Sequence, residues 1–342
     1  MTDTSTTQPL RTSRAASLFL LSAAWLVLSL GMGREMSTLA PAVWADCVRM
    51  VGSAGVLFAG YYFLAKMWVP DLRPLSSVGF VRRPGVAREF AIGAAVGWGI
   101  AIALVLPGLL TGNMSLTFGF TADALLRLLI SLGTLVAFAV LMQEVLAGLP
   151  MRLLVRATGP AWAVAAAIFV TCCLAVTGQQ GEGSSLLVSS LMIGLFVAGF
   201  LRTRAIWVPL GLQIGWTVSL QLLFGAASPY TPPTYGIVQS DTGGPAWLTG
   251  GPFGPEASLF AVLVLIAALV ALFRVTRDYA WHYTYQPIVG AGYAVVVAPP
   301  AEHVREEAKA AAHVPLVQIG GIAPAPSAQP EPISVPSGDP LA

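Results

Sequence analysis

Charge is scarce in this chain. Asp, Glu, Lys and Arg make up 10% of its 342 residues, where a soluble globular domain carries about 25%. Hydrophobic residues account for 56%. So little charge over so long a chain excludes an ordinary soluble domain and points to lipid as the solvent. It also leaves no basic surface for nucleic acid, so membrane lipids are the first expected partners. Histidine is nearly missing: His282, His303 and His313 all lie near the C-terminus, and none falls in an apolar segment. Three cysteines, Cys47, Cys172 and Cys173, exclude a disulfide framework. The adjacent Cys172 and Cys173 sit inside an apolar run and read as small packing residues. No twin-arginine signal is present, because Arg11 and Arg14 are not adjacent. The run Ala16–Met32 exceeds the usual signal core of about 7–15 residues and reads as a retained first helix.

What the chain does contain is a series of apolar runs. A helix crosses the hydrocarbon with about 20 apolar residues. Eight segments are candidates: Ala16–Met32, Met50–Trp68, Phe90–Leu110, Leu126–Ala147, Ala161–Val176, Ser185–Leu201, Ile206–Phe224 and Ala257–Phe273. The expected fold is therefore all-α, a polytopic transmembrane bundle of about eight helices. The short fifth segment and the Ser- and Gly-rich sixth suggest burial within that bundle. Gly93, Gly97, Gly99, Gly194 and Gly199 suggest close helix approach, and Gly93 and Gly97 have Gly-x-x-x-Gly spacing.

Basic residues set the expected orientation. With the N-terminus inside, thirteen fall in inside segments, from Arg11 to Arg277, and three (Arg34, Arg49, Arg127) fall outside. Arg305 and Lys309 belong to the tail. The positive-inside rule then places both termini in the cytoplasm and the protein in the cell membrane. Three regions follow: a cytoplasmic segment 1–15, a transmembrane domain 16–277 and a cytoplasmic tail 278–342. Ala301–Ala312 has the composition of a short charged helix, and Gly320–Ala342 that of disorder. The loop Gly225–Glu256 carries no Lys or Arg and faces outside. Gly254-Pro255-Glu256 reads as a helix start, with the acid at the positive end of the dipole.

An ionised group at the bilayer centre costs at least about 2.5–3.5 kcal/mol, so embedded polar residues mark candidate sites. Gln143 and Glu144 end the fourth segment, Cys173 lies in the fifth, and Gln213 and Thr217 share a helical face in the seventh. On their own they have plain readings. Glu144 would pair with Arg152 or Arg156. Gln213 and Thr217 would make interhelical hydrogen bonds worth about 0.6 kcal/mol each.

The order of these segments resembles the CPBP intramembrane endopeptidases, also called Abi or type II CAAX prenyl endopeptidase-like proteins, over roughly residues 90–273. The most specific stretch is Gly244-Pro245-Ala246-Trp247-Leu248-Thr249-Gly250-Gly251-Pro252-Phe253-Gly254-Pro255-Glu256-Ala257-Ser258-Leu259, which looks like the loop and helix start of bacterial members. Arg202–Leu212 looks like the approach to the last family motif. The family pattern implies Glu-Glu-x-x-x-Arg, then Phe-x-x-x-His, then His-x-x-x-Asn. The first Glu and first His would activate water, the second His and the Asn would steady the oxyanion, and a divalent metal is debated.

This chain departs from that pattern at almost every reacting position. The Glu pair is Gln143-Glu144, the motif Arg is Gly148, and Phe169 is kept. The first His is Cys173, and the His and Asn of the last motif are Gln213 and Thr217. A glutamine amide cannot take up a proton near neutral pH, and a general base is worth about 10²–10⁴ in rate. Gln213 and Thr217 are poor zinc ligands, so no cofactor is expected. The resemblance thus implies a degenerate, non-proteolytic member acting in membrane binding or scaffolding. Its polar residues would line a cytoplasm-facing cavity for a hydrophobic or lipidated peptide, or its surface would hold another membrane protein. The alternatives are an active endopeptidase using Glu144 and, from another class, a transporter or channel component.

Overall fold

The computed structural model describes residues 12–68, 75, 78–177 and 183–277. The region 1–11 and the tail from residue 278, with its three histidines and the proposed helix Ala301–Ala312, lie outside the described residues. The described chain is mostly helical. Its helices are α1 (Thr12–Thr38), α2 (Ala45–Trp68), α3 (Val86–Leu110), α4 (Ala122–Leu146), α5 (Leu149–Thr158), α6 (Pro160–Thr177), α7 (Gly183–Thr203), α8 (Trp207–Val218) and α9 (Leu259–Val275).

Every apolar run read from the sequence is helical. Among the described residues, five stretches are long and apolar enough to cross a membrane: Ser17–Thr38, Ala42–Met67, Val86–Leu110, Ala122–Val155 and Leu186–Thr203. The last of these is the most buried, at 56% of its window, which fits its Ser- and Gly-rich composition. Shorter apolar helices cover Pro160–Val170 and Leu259–Val275. The stretch Ala122–Val155 is not one straight rod. Helix α4 ends at Leu146, Gly148 takes an extended conformation, and Pro150 opens α5. Proline at the first turn is free of a helical N–H partner and so starts a new helix. The 25 residues of α4 alone measure about 37 Å, enough to span the hydrocarbon.

The closest helix contact joins α3 to α8. Gly93 and Gly97 of α3 lie against the backbone of Val208, Leu212 and Trp216. Gly211 and Gly215 of α8 lie against the backbone of Phe90 and Ala94. A Cβ at any of the four would overlap main-chain atoms of the other helix. Each helix thus offers a Gly-x-x-x-Gly face to its partner. Two other expected packing glycines behave differently: Gly99 and Gly194 have nothing within 4 Å of a Cβ. Gly199 makes only ordinary contact with Pro209.

Around this pair, Ile100, Leu104, Leu195, Phe196, Leu212, Trp216, Leu220 and Leu265 form the main buried core. A second core joins Leu18 of α1, Leu57 and Tyr61 of α2, Leu141 of α4 and Leu149 and Leu153 of α5. One feature departs from the all-α expectation. Strand β1 (Met114–Phe118), just after α3, pairs antiparallel with β2 (Val238–Thr242), with Leu116 opposite Ser240. The long loop after α8 therefore contains a strand. Its partner lies more than a hundred residues earlier, so no local pattern announces it.

The opposite end of the bundle is clasped by arginines. Arg83 makes a two-pronged ion pair with buried Glu89, at 2.6 and 2.7 Å, and also donates to the Thr203 carbonyl. Arg152 donates to the Arg204 carbonyl at 2.7 Å and lies over the Phe200 ring. Arg202 donates to Thr276 Oγ1 and lies over the Phe273 ring. These contacts gather the start of α3 and the ends of α7 and α9 at one end.

The glycine contact predicts unequal outcomes for chemically equal substitutions. Gly97→Ala or Gly215→Ala forces α3 and α8 apart and costs about 1–3 kcal/mol. Gly99→Ala and Gly194→Ala, on open helix surface, are neutral or slightly stabilising, because alanine favours a helix over glycine by about 0.8–1 kcal/mol. Thermal unfolding of the four variants in one detergent checks the ranking.

Candidate functional site

Two helix segments carry most of the candidate positions. The last turn of α4 places Gln143 and Glu144 just before the Gly148 break. Helix α8 places Gln213 and Thr217 one turn apart. On α8 the glycines Gly211 and Gly215 and the polar Gln213 and Thr217 are offset by two residues, which is about 200° around the helix. Pressing the glycine face onto α3 therefore turns Gln213 and Thr217 to the other side, where α4 packs.

The result is a direct contact between residues 70 positions apart. Gln143 Nε2 donates to Gln213 Oε1 at 2.6 Å, and both side chains are buried. Thr217 is also buried, and its hydroxyl donates to the Gln213 carbonyl of its own helix at 2.8 Å. The hydroxyl is thereby committed to its own backbone. Gln143 Oε1 has no hydrogen-bond partner.

Glu144 faces elsewhere. It is 1% exposed, and its Oε2 has no hydrogen-bond partner. The phenol of buried Tyr61, on α2, lies within range of its charge. Sequence reasoning did not single out Tyr61, because a tyrosine in an apolar run is an ordinary core residue. Of the two arginines expected to pair with Glu144, Arg152 reaches the Arg204 carbonyl as described. The Arg156 side chain lies outside the described residues.

The backbone of Cys173 belongs to α6, and its side chain lies outside the described residues. Phe169, one turn earlier, is exposed. Cys172 is close to Ser190 of α7, with Sγ and Oγ 3.1 Å apart, as expected of a small packing residue. The position matching the family arginine is Gly148. A Cβ there would overlap the Glu144 carbonyl, so this backbone shape leaves no room for a side chain.

The structure thus brings Gln143, Gln213 and Thr217 into one buried contact and sets Glu144 beside it on another face. The expected open cavity is not seen at these residues, which are at most 3% exposed. The reason is the amide–amide bond itself, which draws α4 and α8 together across the place a ligand would occupy. Surface crevices of about 250 Å³ and 420 Å³ lie elsewhere, around Arg127 and Tyr235.

The donors present do not fit a divalent metal. Zinc takes thiolate, imidazole or carboxylate ligands at about 2.0–2.3 Å. Two neutral amides bonded to each other and a hydroxyl turned to its own helix offer none of these. No group of three His, Cys, Asp or Glu side chains is placed to hold a metal among the described residues. No family model matches the chain, and no curated protein or solved structure matches it either.

The amide pair predicts non-additive energetics. Gln213→Leu leaves Gln143 Nε2 buried without an acceptor and costs about 1–3 kcal/mol. Gln143→Leu leaves Gln213 Oε1 unpaired at a similar cost. The double substitution removes both polar groups and costs less than the sum of the two. A double-mutant cycle from chemical unfolding measures the coupling.

Proposed function

We propose that the chain is a degenerate CPBP-like membrane protein, built on eight crossings with both termini cytoplasmic, that binds or scaffolds other membrane components and does not cleave peptides. The observation that carries this reading is the Gln143–Gln213 hydrogen bond. By the resemblance, the residues at these positions would be a carboxylate and an imidazole. Here two amides occupy them and use each other as partners. Neither exchanges a proton near neutral pH, and their contact leaves no place for a water between them. The hydroxyl of Thr217 is also committed, to its own helix, and is not aimed at a developing oxyanion. Catalytic groups that act as a unit fail together when one is lost.

Topology adds support. The arginine-bearing ends of α3, α7 and α9 meet at one end of the bundle, as alternating crossings require. The positive-inside rule makes that end cytoplasmic. The occupants that suit such a protein are lipids, a hydrophobic or lipidated peptide, or another membrane protein, held on its outer faces rather than at the sealed polar pair.

A second reading has its own observation. Glu144 is a buried carboxylate with an unpartnered oxygen, and an intramembrane acid of this kind is a functional candidate by default. An endopeptidase built on Glu144 would need a partner from the residues around it, of which Tyr61 is the nearest described candidate.

One comparison decides between them. The purified protein is incubated with prenylated CAAX-type peptides beside a Gln143→Glu, Cys173→His, Gln213→His, Thr217→Asn version. The expected result is no cleavage by the natural sequence. Cleavage that Glu144→Gln abolishes, with folding preserved, would overturn the binding reading in favour of the endopeptidase.

A further inference from the structure

The end of the bundle opposite the Arg83, Arg152 and Arg202 contacts holds a buried acid, Glu256. The sequence suggests that Glu256 stabilises the start of the last helix as a first-turn carboxylate. The structure assigns it another place. Pro255–Ala257 form a separate 3-10 turn, and α9 starts only at Leu259, with Ser258 as its N-cap accepting the Ala261 N–H at 3.1 Å. Glu256 is left before the cap, with no exposure to solvent.

Its surroundings are those of a clasp. The Ser228 hydroxyl, at the beginning of the loop 225–258, donates to Glu256 Oε2, at the loop's end. Beside this bond, Gly254 packs on the Ala227 carbonyl so tightly that a Cβ would overlap it. The Trp216 indole of α8 faces the same carboxyl, short of full hydrogen-bonding geometry. Glu256 Oε1 and Trp216 Nε1 are both buried without a hydrogen-bond partner. The loop is held elsewhere by Gln221 to Thr231 and Thr234, Ser131 to Tyr235, Ser240 to Gly225, and the Arg127 guanidinium over the Tyr235 ring.

Among the described residues no other charge faces this carboxyl. The turn packs against α3, α7, α9 and the neighbouring turns 246–249 and 251–253. Those two turns and α8 carry no titratable side chain. On α3 the titratable groups are Arg88 and Glu89, on α7 Arg202, and on α9 Arg274. Arg202 binds Thr276, at the far end of α9, and Glu89 shares Arg83 with Thr203, the residue after Arg202. The length of α9, about 25 Å, therefore separates them all from Glu256. Within the loop, Asp241 pairs with Ser115 in the sheet, and Tyr230 meets Ser228 through its backbone N–H.

We propose that the Ser228–Glu256–Trp216 clasp is a proton-operated latch that closes the 225–258 loop over its end of the bundle. Protonated Glu256 is neutral and remains buried. Ionised Glu256 has no cation beside it among the described residues and gains by reaching water, which opens the loop at Ala227–Gly254. Burial pushes the Glu256 carboxyl up to about 7, and the Ser228 hydrogen bond and the facing Trp216 indole hold it from rising further. An acid whose proton is held more tightly in the closed state favours closure at low pH. Closure weakens as pH rises from the ordinary carboxylate value towards 7 and is level above that. This inference does not rest on the family resemblance.

Hydrogen exchange read by mass spectrometry on the full protein in nanodiscs tests it. After correction for intrinsic exchange, opening of peptides in 225–258 should rise about 30-fold between pH 5 and pH 7, while peptides in α3 stay constant. Glu256→Gln should abolish the rise. Ser228→Ala removes a bond that favours the ionised form, so it should move the upper limit of the rise to higher pH. A flat natural profile, or a rise that persists in Glu256→Gln, overturns the latch. If Glu256→Gln does not fold, an unmoved limit in Ser228→Ala overturns it.

Discussion

The glycine-to-glycine contact of α3 with α8 sets the direction of the polar groups that α8 carries. In lipid there is little hydrophobic drive between helices, so close backbone packing and interhelical hydrogen bonds must supply the association. Gly93, Gly97, Gly211 and Gly215 let two backbones meet with no side chain between them. That contact fixes the rotation of α8 about its own axis. Once the glycine face is spent on α3, Gln213 has to face α4. Trp216, one residue beyond Gly215, then faces the turn that bears Glu256. A rotation of one residue, about 100°, would break both polar contacts together.

The eight helical segments were legible in the sequence because each is a long apolar run, and lipid forces such runs to satisfy their backbone internally as helices. Gly93 and Gly97 were legible by spacing. Gly211 and Gly215 have the same spacing but stand beside Gln213, and polar neighbours drew the reading towards chemistry instead of packing. Gly99 and Gly194 look identical to the packing glycines in sequence, and only the rotation of their helices shows them to be open. The β1–β2 pair was not legible, since its register depends on where a 32-residue loop returns. The burial of Glu256 was hidden for the same reason: it is created by Ala227 and Ser228 folding back from the far end of that loop. The meeting of Gln143 with Gln213 was anticipated only through the order of the family motifs. No periodicity within either helix points to it.

The polar interior shows how a membrane protein can keep hydrogen-bonding groups in its core at low cost. A buried carboxylate beside an imidazole is a charged or proton-sharing pair, and removing charge from water is costly unless the pairing is excellent. Two glutamines satisfy one donor and one acceptor without any charge. They tie α4 to α8 independently of pH, in a place where a titrating pair would make the helix contact depend on protonation. The pair therefore supplies an interhelical bond that carries no charge.

The two ends of the bundle are held by opposite physics. At one end Glu89 is buried against Arg83 in a two-pronged ion pair, so its charge is matched. At the other end Glu256 is buried with a hydroxyl and an indole, which solvate a carboxylate only in part. Burial among neutral groups favours the protonated form of an acid, which is the basis of the latch proposed for the loop end. What each buried acid is given as a partner therefore differs between the two ends: a guanidinium for Glu89, a hydroxyl and an indole for Glu256.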